Sequence, residues 1–88
     1  KKKASILLVD DTPANILALR AVLDCPHYDL VEAKTGFEAL RWCEEREFAL
    51  IVLDVKMPGM DGFETARRIK ENTKNTDIPI IFVTATYR

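Results

Sequence analysis

Eighty-eight residues suffice for one domain with a modest core and are too few for two. Hydrophobic residues at 48% and charged residues at 31% fit an ordinary globular protein and exclude the disordered and fibrous classes. Thirteen basic against fourteen acidic residues leave a formal charge of −1, so no broad positive field is available to hold nucleic acid or an anionic membrane.

The opening Lys1-Lys2-Lys3-Ala4-Ser5 leads into an apolar run too brief for a signal-peptide core or a membrane span, and a cytoplasmic location is expected. That run, Ile6-Leu7-Leu8-Val9, is continuously apolar like a strand covered on both faces, and Asp10-Asp11 follow it. Thr12 as N-cap and Pro13 at the first helical position open a helix with Ile16, Leu19, Val22 and Leu23 on its core face. Pro26 marks its end, and His27 falls in a surface turn.

Residues 28–33 mix apolar with charged side chains, which predicts a strand with less cover, at a sheet edge. Thr35-Gly36-Phe37-Glu38 has capping-box spacing, and Phe37, Leu40 and Cys43 supply the buried stripe of a second helix fading around Arg46. Trp42 falls off that stripe and is expected to be partly exposed. Cys25 and Cys43 form no C-x-x-C pair and no closely spaced framework, which predicts reduced thiols rather than a disulfide or zinc site.

Residues 49–53 form the most apolar stretch, read as a central strand delivering Asp54 at its carboxyl end. A Pro/Gly-rich loop over residues 56–60 follows, with Met57 and Met60 expected to pack over the strand ends. Asp61, with Glu64 three residues on, caps a third helix whose inward face is Phe63, Ala66 and Ile69 and whose solvated face carries Arg67, Arg68 and Lys70. Asp77-Ile78-Pro79 leads into a last apolar strand over residues 80–83, with Thr84 at its end.

Alternating strands and helices predict a parallel α/β sheet, whose ligands gather beyond the carboxyl ends of the strands. Asp10, Asp11, Asp54 and Thr84 are all expected at that edge. Either aspartate of the pair, taken alone, reads as a helix cap, and Asp54 alone reads as a strand ending in water. Together the three carboxylates repel one another unless a hard divalent cation such as Mg²⁺ joins them. A carboxylate beside such a cation is a competent nucleophile for phosphoryl transfer, and Asp54 is the natural candidate.

The motifs V-D-D-T-P-A-N, L-D-V-K-M-P-G-M-D-G-F-E and D-I-P-I-I-F-V-T-A resemble the CheY-like response regulator receiver domains of two-component systems, over residues 5–86. That resemblance implies a flavodoxin-like doubly wound sheet of strand order 2-1-3-4. It treats residues 1–88 as a single receiver domain whose fourth helix, fifth strand and fifth helix are missing. By the same resemblance, Asp54 takes a phosphoryl group from a sensor histidine kinase or histidine phosphotransfer protein. Asp10, Asp11 and the backbone carbonyl of Lys56 join Asp54 in holding Mg²⁺, and Thr84 is the switch hydroxyl beside the small Ala85. A phosphoacceptor signalling domain rather than a turnover enzyme is implied, although the parent protein could be a hybrid histidine kinase. Two other readings compete. An interaction module could dimerise through an open fourth-strand edge, and a phosphoaspartate hydrolase would need an acid where Lys56 stands.

Overall fold

The computed structural model describes residues 3–84. In chain order, strand β1 (Ala4–Val9) is followed by helix α1 (Pro13–Val22), β2 (Tyr28–Ala33), α2 (Gly36–Glu45), β3 (Leu50–Asp54), α3 (Gly62–Glu71), a 3₁₀ turn (Thr73–Asn75) and β4 (Ile80–Val83). All strands pair in parallel, in the order β2-β1-β3-β4, as the resemblance implied. The half-covered strand β2 stands at one edge.

Side chains along a strand point alternately to opposite faces, and this divides the core in two. Leu7, Val9, Val31, Ala33, Ile51 and Leu53 meet α2 and α3 on one face. Ile6, Leu8 and Val52 meet Ile16 of α1 on the other, with Leu19 and Leu23 half-buried against them. Helices on both faces explain why β1 and β3 are apolar without alternation. Leu7 has no exposed surface, and truncating it to alanine should cost about 2–5 kcal/mol because the surrounding strands cannot close the cavity.

Several expected core positions lie outside. Val22 is 80% exposed, and Phe37 and Phe63 are each 58% exposed. The expected Cys43, Ala66 and Ile69 are buried, and beside them the second and third helices bury mostly small residues, Gly36 and Ala39 from α2 and Gly62 and Thr65 from α3. Small side chains let the two helices and the sheet approach closely, which leaves no room for a phenylalanine on that face. Phe63 packs against Phe82 of β4, with ring centres 5.0 Å apart. Trp42 is half-buried against the core, and Phe48, not singled out above, is buried within it.

The caps follow the sequence with one exception. Thr35 Oγ1 accepts the Glu38 N–H at 3.0 Å, and the Glu38 carboxylate accepts the Lys34 N–H at 2.7 Å. Thr12 occupies the N-cap of α1 but its side chain makes no capping bond; the preceding Asp10 reaches forward instead. The basic run on α3 is divided: Arg67 and Arg68 pair with Glu64, whereas the Lys70 ammonium donates to the backbone carbonyls of Thr76 and Ile78 and so ties the approach to β4.

Candidate functional site

Parallel strands deliver the loops that follow them to one edge of the sheet. Val9 stands opposite Leu53, so Asp10 emerges beside Asp54. Asp54 stands opposite Val83, so Thr84 emerges one residue beyond it, exposed. Asp10 and Asp54 are 2% and 7% exposed, whereas Asp11 faces solvent. One carboxylate oxygen from each of the three lies within 4.8 Å of the others. The three acidic candidates therefore meet as expected.

Each buried carboxylate is oriented by backbone. Asp10 Oδ1 accepts the Thr12 N–H at 2.9 Å and the Asn15 side-chain amide at 3.4 Å. Asp54 Oδ1 accepts the Lys56 N–H at 3.3 Å. Lys56 thus acts on Asp54 through its N–H, while its side chain is exposed. Asn15 was missed by the sequence reading, although its place in the first turn of α1 brings it within reach of the residue before the helix.

Burial pushes the Asp54 carboxyl above its ordinary range, the neighbouring Asp10 charge adds to this, the Lys56 N–H opposes it, and Asp11 contributes a further upward push. A cation among the three oxygens would reverse that repulsion, and an all-carboxylate donor set suits a hard divalent ion. The residues present therefore fit Mg²⁺.

The loop over residues 55–61 is fixed at its start to the neighbouring strand β4 and to the start of α3. Val55 donates its N–H to the Val83 carbonyl at 3.1 Å and accepts the Gly62 N–H at 2.8 Å. Gly59 turns the chain with φ of 80°, a conformation that a side chain would oppose. Met57 and Met60 are buried beneath this turn, as expected for residues covering strand ends. Asp61 Oδ1 accepts the Glu64 N–H at 2.8 Å and starts α3. Ala85 lies outside the described residues.

Comparison with known proteins gives the family. The family model for the response regulator receiver domain matches residues 6–88. The chain is 42% identical over 84 residues to the sensor protein EvgS of Escherichia coli (strain K12), covering 96% of this chain and 7% of that protein. It is 40% identical over 82 residues to the response regulator PleD of Caulobacter vibrioides (strain NA1000 / CB15N), covering 93% of this chain and 18% of that protein. It therefore spans less than a fifth of either relative. Among solved structures, the response regulator protein TrrA of Thermotoga maritima, in complex with Mg²⁺ and BeF, superposes with a TM-score of 0.84 at 36% identity, covering 94% of this chain and 70% of that one. The signal receiver domain of a signal transduction histidine kinase from Syntrophus aciditrophicus gives 0.86 at 32% identity, covering 97% and 64%.

Proposed function

The chain belongs to the response regulator receiver domain family, phosphoacceptor modules of two-component signalling, and from that premise we propose that Asp54 is the phosphoacceptor. The phosphorus of a phosphohistidine on a sensor histidine kinase or phosphotransfer protein is attacked by an Asp54 oxygen. An acyl phosphate forms as the bond to the histidine nitrogen breaks, and that nitrogen leaves with its electron pair and a proton from solvent. Asp10, Asp11, Asp54 and the Lys56 carbonyl are the residues that would hold Mg²⁺. When bound, that ion neutralises charge on the transferring phosphoryl oxygens. Thr84 would donate its hydroxyl to a phosphoryl oxygen, which favours one of two positions of that hydroxyl.

The observation that carries this reading is the meeting of two buried carboxylates and one exposed carboxylate within 4.8 Å at the carboxyl ends of β1 and β3. Incubation with Mg²⁺ and acetyl phosphate, followed by intact-protein mass measurement, tests it. One added phosphoryl group is expected in the wild type and none in Asp54→Asn. A folded wild type that gains no mass, or an Asp54→Asn variant that still does, would sink the assignment.

In this reading residues 1–88 form one receiver unit in the cytoplasm, acting as a phosphoacceptor and not as a turnover enzyme, whether or not the parent is a hybrid kinase. A second reading has its own support: among the described residues β4 pairs only with β3, and Ile81 and Phe82 are exposed there. Such an edge can pair with a second copy. Sedimentation should then show dimers whose population falls when a lysine replaces Ile81; a monomer at all concentrations removes this reading.

A further inference from the structure

Asp54 is the last residue of β3, so the position of its carboxylate follows the backbone at that strand end. Gly62, the first residue of α3, lies directly against this backbone. A methyl group on Gly62 would stand 2.2 Å from the Asp54 carbonyl oxygen, 2.8 Å from Val55 Cα and 2.9 Å from the Asp54 carbonyl carbon. Ordinary carbon contacts begin near 3.5 Å, so relief requires roughly 1 Å of backbone movement. None of the three atoms belongs to a side chain that could rotate away. The Gly62 N–H also bonds the Val55 carbonyl at 2.8 Å, which holds the two segments in register.

We propose that Gly62 is a positioning residue: its bare Cα lets α3 press on the backbone of Asp54 and Val55 and fixes where the Asp54 carboxylate stands relative to Asp10 and Asp11. This rests on Asp54 being the phosphoacceptor. The three acidic oxygens lie within 4.8 Å of one another, so a displacement of one strand end on the scale of 1 Å changes the donor set appreciably. Helix propensity acts in the opposite direction, because alanine forms helix better than glycine by about 1 kcal/mol. Loss of function on substitution would therefore come from the contact and not from a weakened helix.

Gly36 supplies the control. A methyl there would also collide, 2.3 Å from Thr65 Oγ1 and 3.1 Å from Met60 Sδ, but these are side-chain atoms and none belongs to Asp54 or Val55. In the full chain, Mg²⁺ affinity by calorimetry and phosphorylation rate with acetyl phosphate are compared for wild type, Gly62→Ala and Gly36→Ala, at a temperature where melting curves show all three folded. Gly62→Ala should lower both quantities about 10- to 100-fold, the range seen when groups that orient metal ligands are disturbed. Gly36→Ala should lose thermal stability and keep both near wild type. Equal losses in the two variants, or none in Gly62→Ala, would overturn the proposal. A wild type that neither binds Mg²⁺ nor takes phosphate would instead overturn the functional reading beneath it. Should Gly62→Ala fail to fold, Asp61→Ala loosens the same helix start by removing its cap, and wild-type Mg²⁺ affinity in that variant would equally overturn the proposal.

Discussion

At the amino-terminal end of the sheet, Arg46 reaches Asp29 Oδ2 at 2.6 Å and Ser5 Oγ at 2.8 Å, with its guanidinium 5.9 Å from the Trp42 ring centre and 5.6 Å from that of Phe48. At the carboxyl-terminal end, Asp10, Asp11 and Asp54 crowd together, and burial first and the neighbouring acidic charges second raise the Asp54 carboxyl. The arginine lowers the Asp29 carboxyl at the first end, so that charge favours the fold. At the second end the charges oppose the fold until a cation arrives. The contrast teaches where this domain keeps stability and where it gives stability up for chemistry.

Mg²⁺ should break the contrast most strongly. At a hundred times its dissociation constant a ligand adds about 2.7 kcal/mol, so Tm should rise by roughly 10–20 °C in the wild type and not in Asp10→Asn. Without metal, Asp54→Asn should melt above the wild type at neutral pH. Because the folded carboxyl of Asp54 is raised, its share of stability is present below the ordinary carboxylate range and is lost as pH rises through the folded value. The gap between wild type and Asp54→Asn should therefore close in acid. A gap that widens in acid would mean the carboxylates do not repel.

Arg46→Ala makes the complementary test at the other end. Two cation–π contacts and the packed aliphatic stem together account for roughly 1–2 kcal/mol, the half-exposed pair with Asp29 adding little. Tm should fall accordingly while the phosphorylation rate at a permissive temperature is unchanged. A fall in rate without a fall in Tm would show that the two ends are not independent.

The sequence made much of this legible. Alternating apolar runs and amphipathic stretches predicted the element order, and Thr35 and Asp61 marked helix starts that the structure retains. The acidic site was readable because parallel strands must release Asp10, Asp54 and Thr84 at one edge. What failed was the assumption that large apolar residues face inward. Phe37 and Phe63 each follow a glycine at the first helical position, and it is the glycine that meets its neighbour: Gly36 against Thr65 and Met60, Gly62 against the Asp54 backbone. Periodicity records which face is apolar and carries no information on how closely two backbones approach. Thr65 shows the same gap: it is fully buried because its hydroxyl donates to the Asp61 carbonyl at 2.8 Å. Arg46 was taken as the end of a helix, since its partners Ser5 and Asp29 lie 41 and 17 residues away.

The smallest effect is expected on α3, where Glu64 pairs with Arg67 at 2.5 Å and with Arg68 at 2.7 Å. These two guanidinium groups hold its carboxyl down to about 2 from an ordinary 4.5. A lowered folded value places its contribution above pH 4.5, to be lost as pH falls toward 2. Both partners are in solvent, so the contribution to stability is small and salt screens it. Glu64→Gln should therefore melt close to the wild type at neutral pH. The Glu64 carboxyl, followed by NMR, should drift toward its ordinary value in molar salt. Asp54 should respond less, because its elevation comes first from burial, which ions in solution do not screen. If salt moved Asp54 more than Glu64, the distinction between a solvated ion pair and a buried acidic site would fail at its physical root.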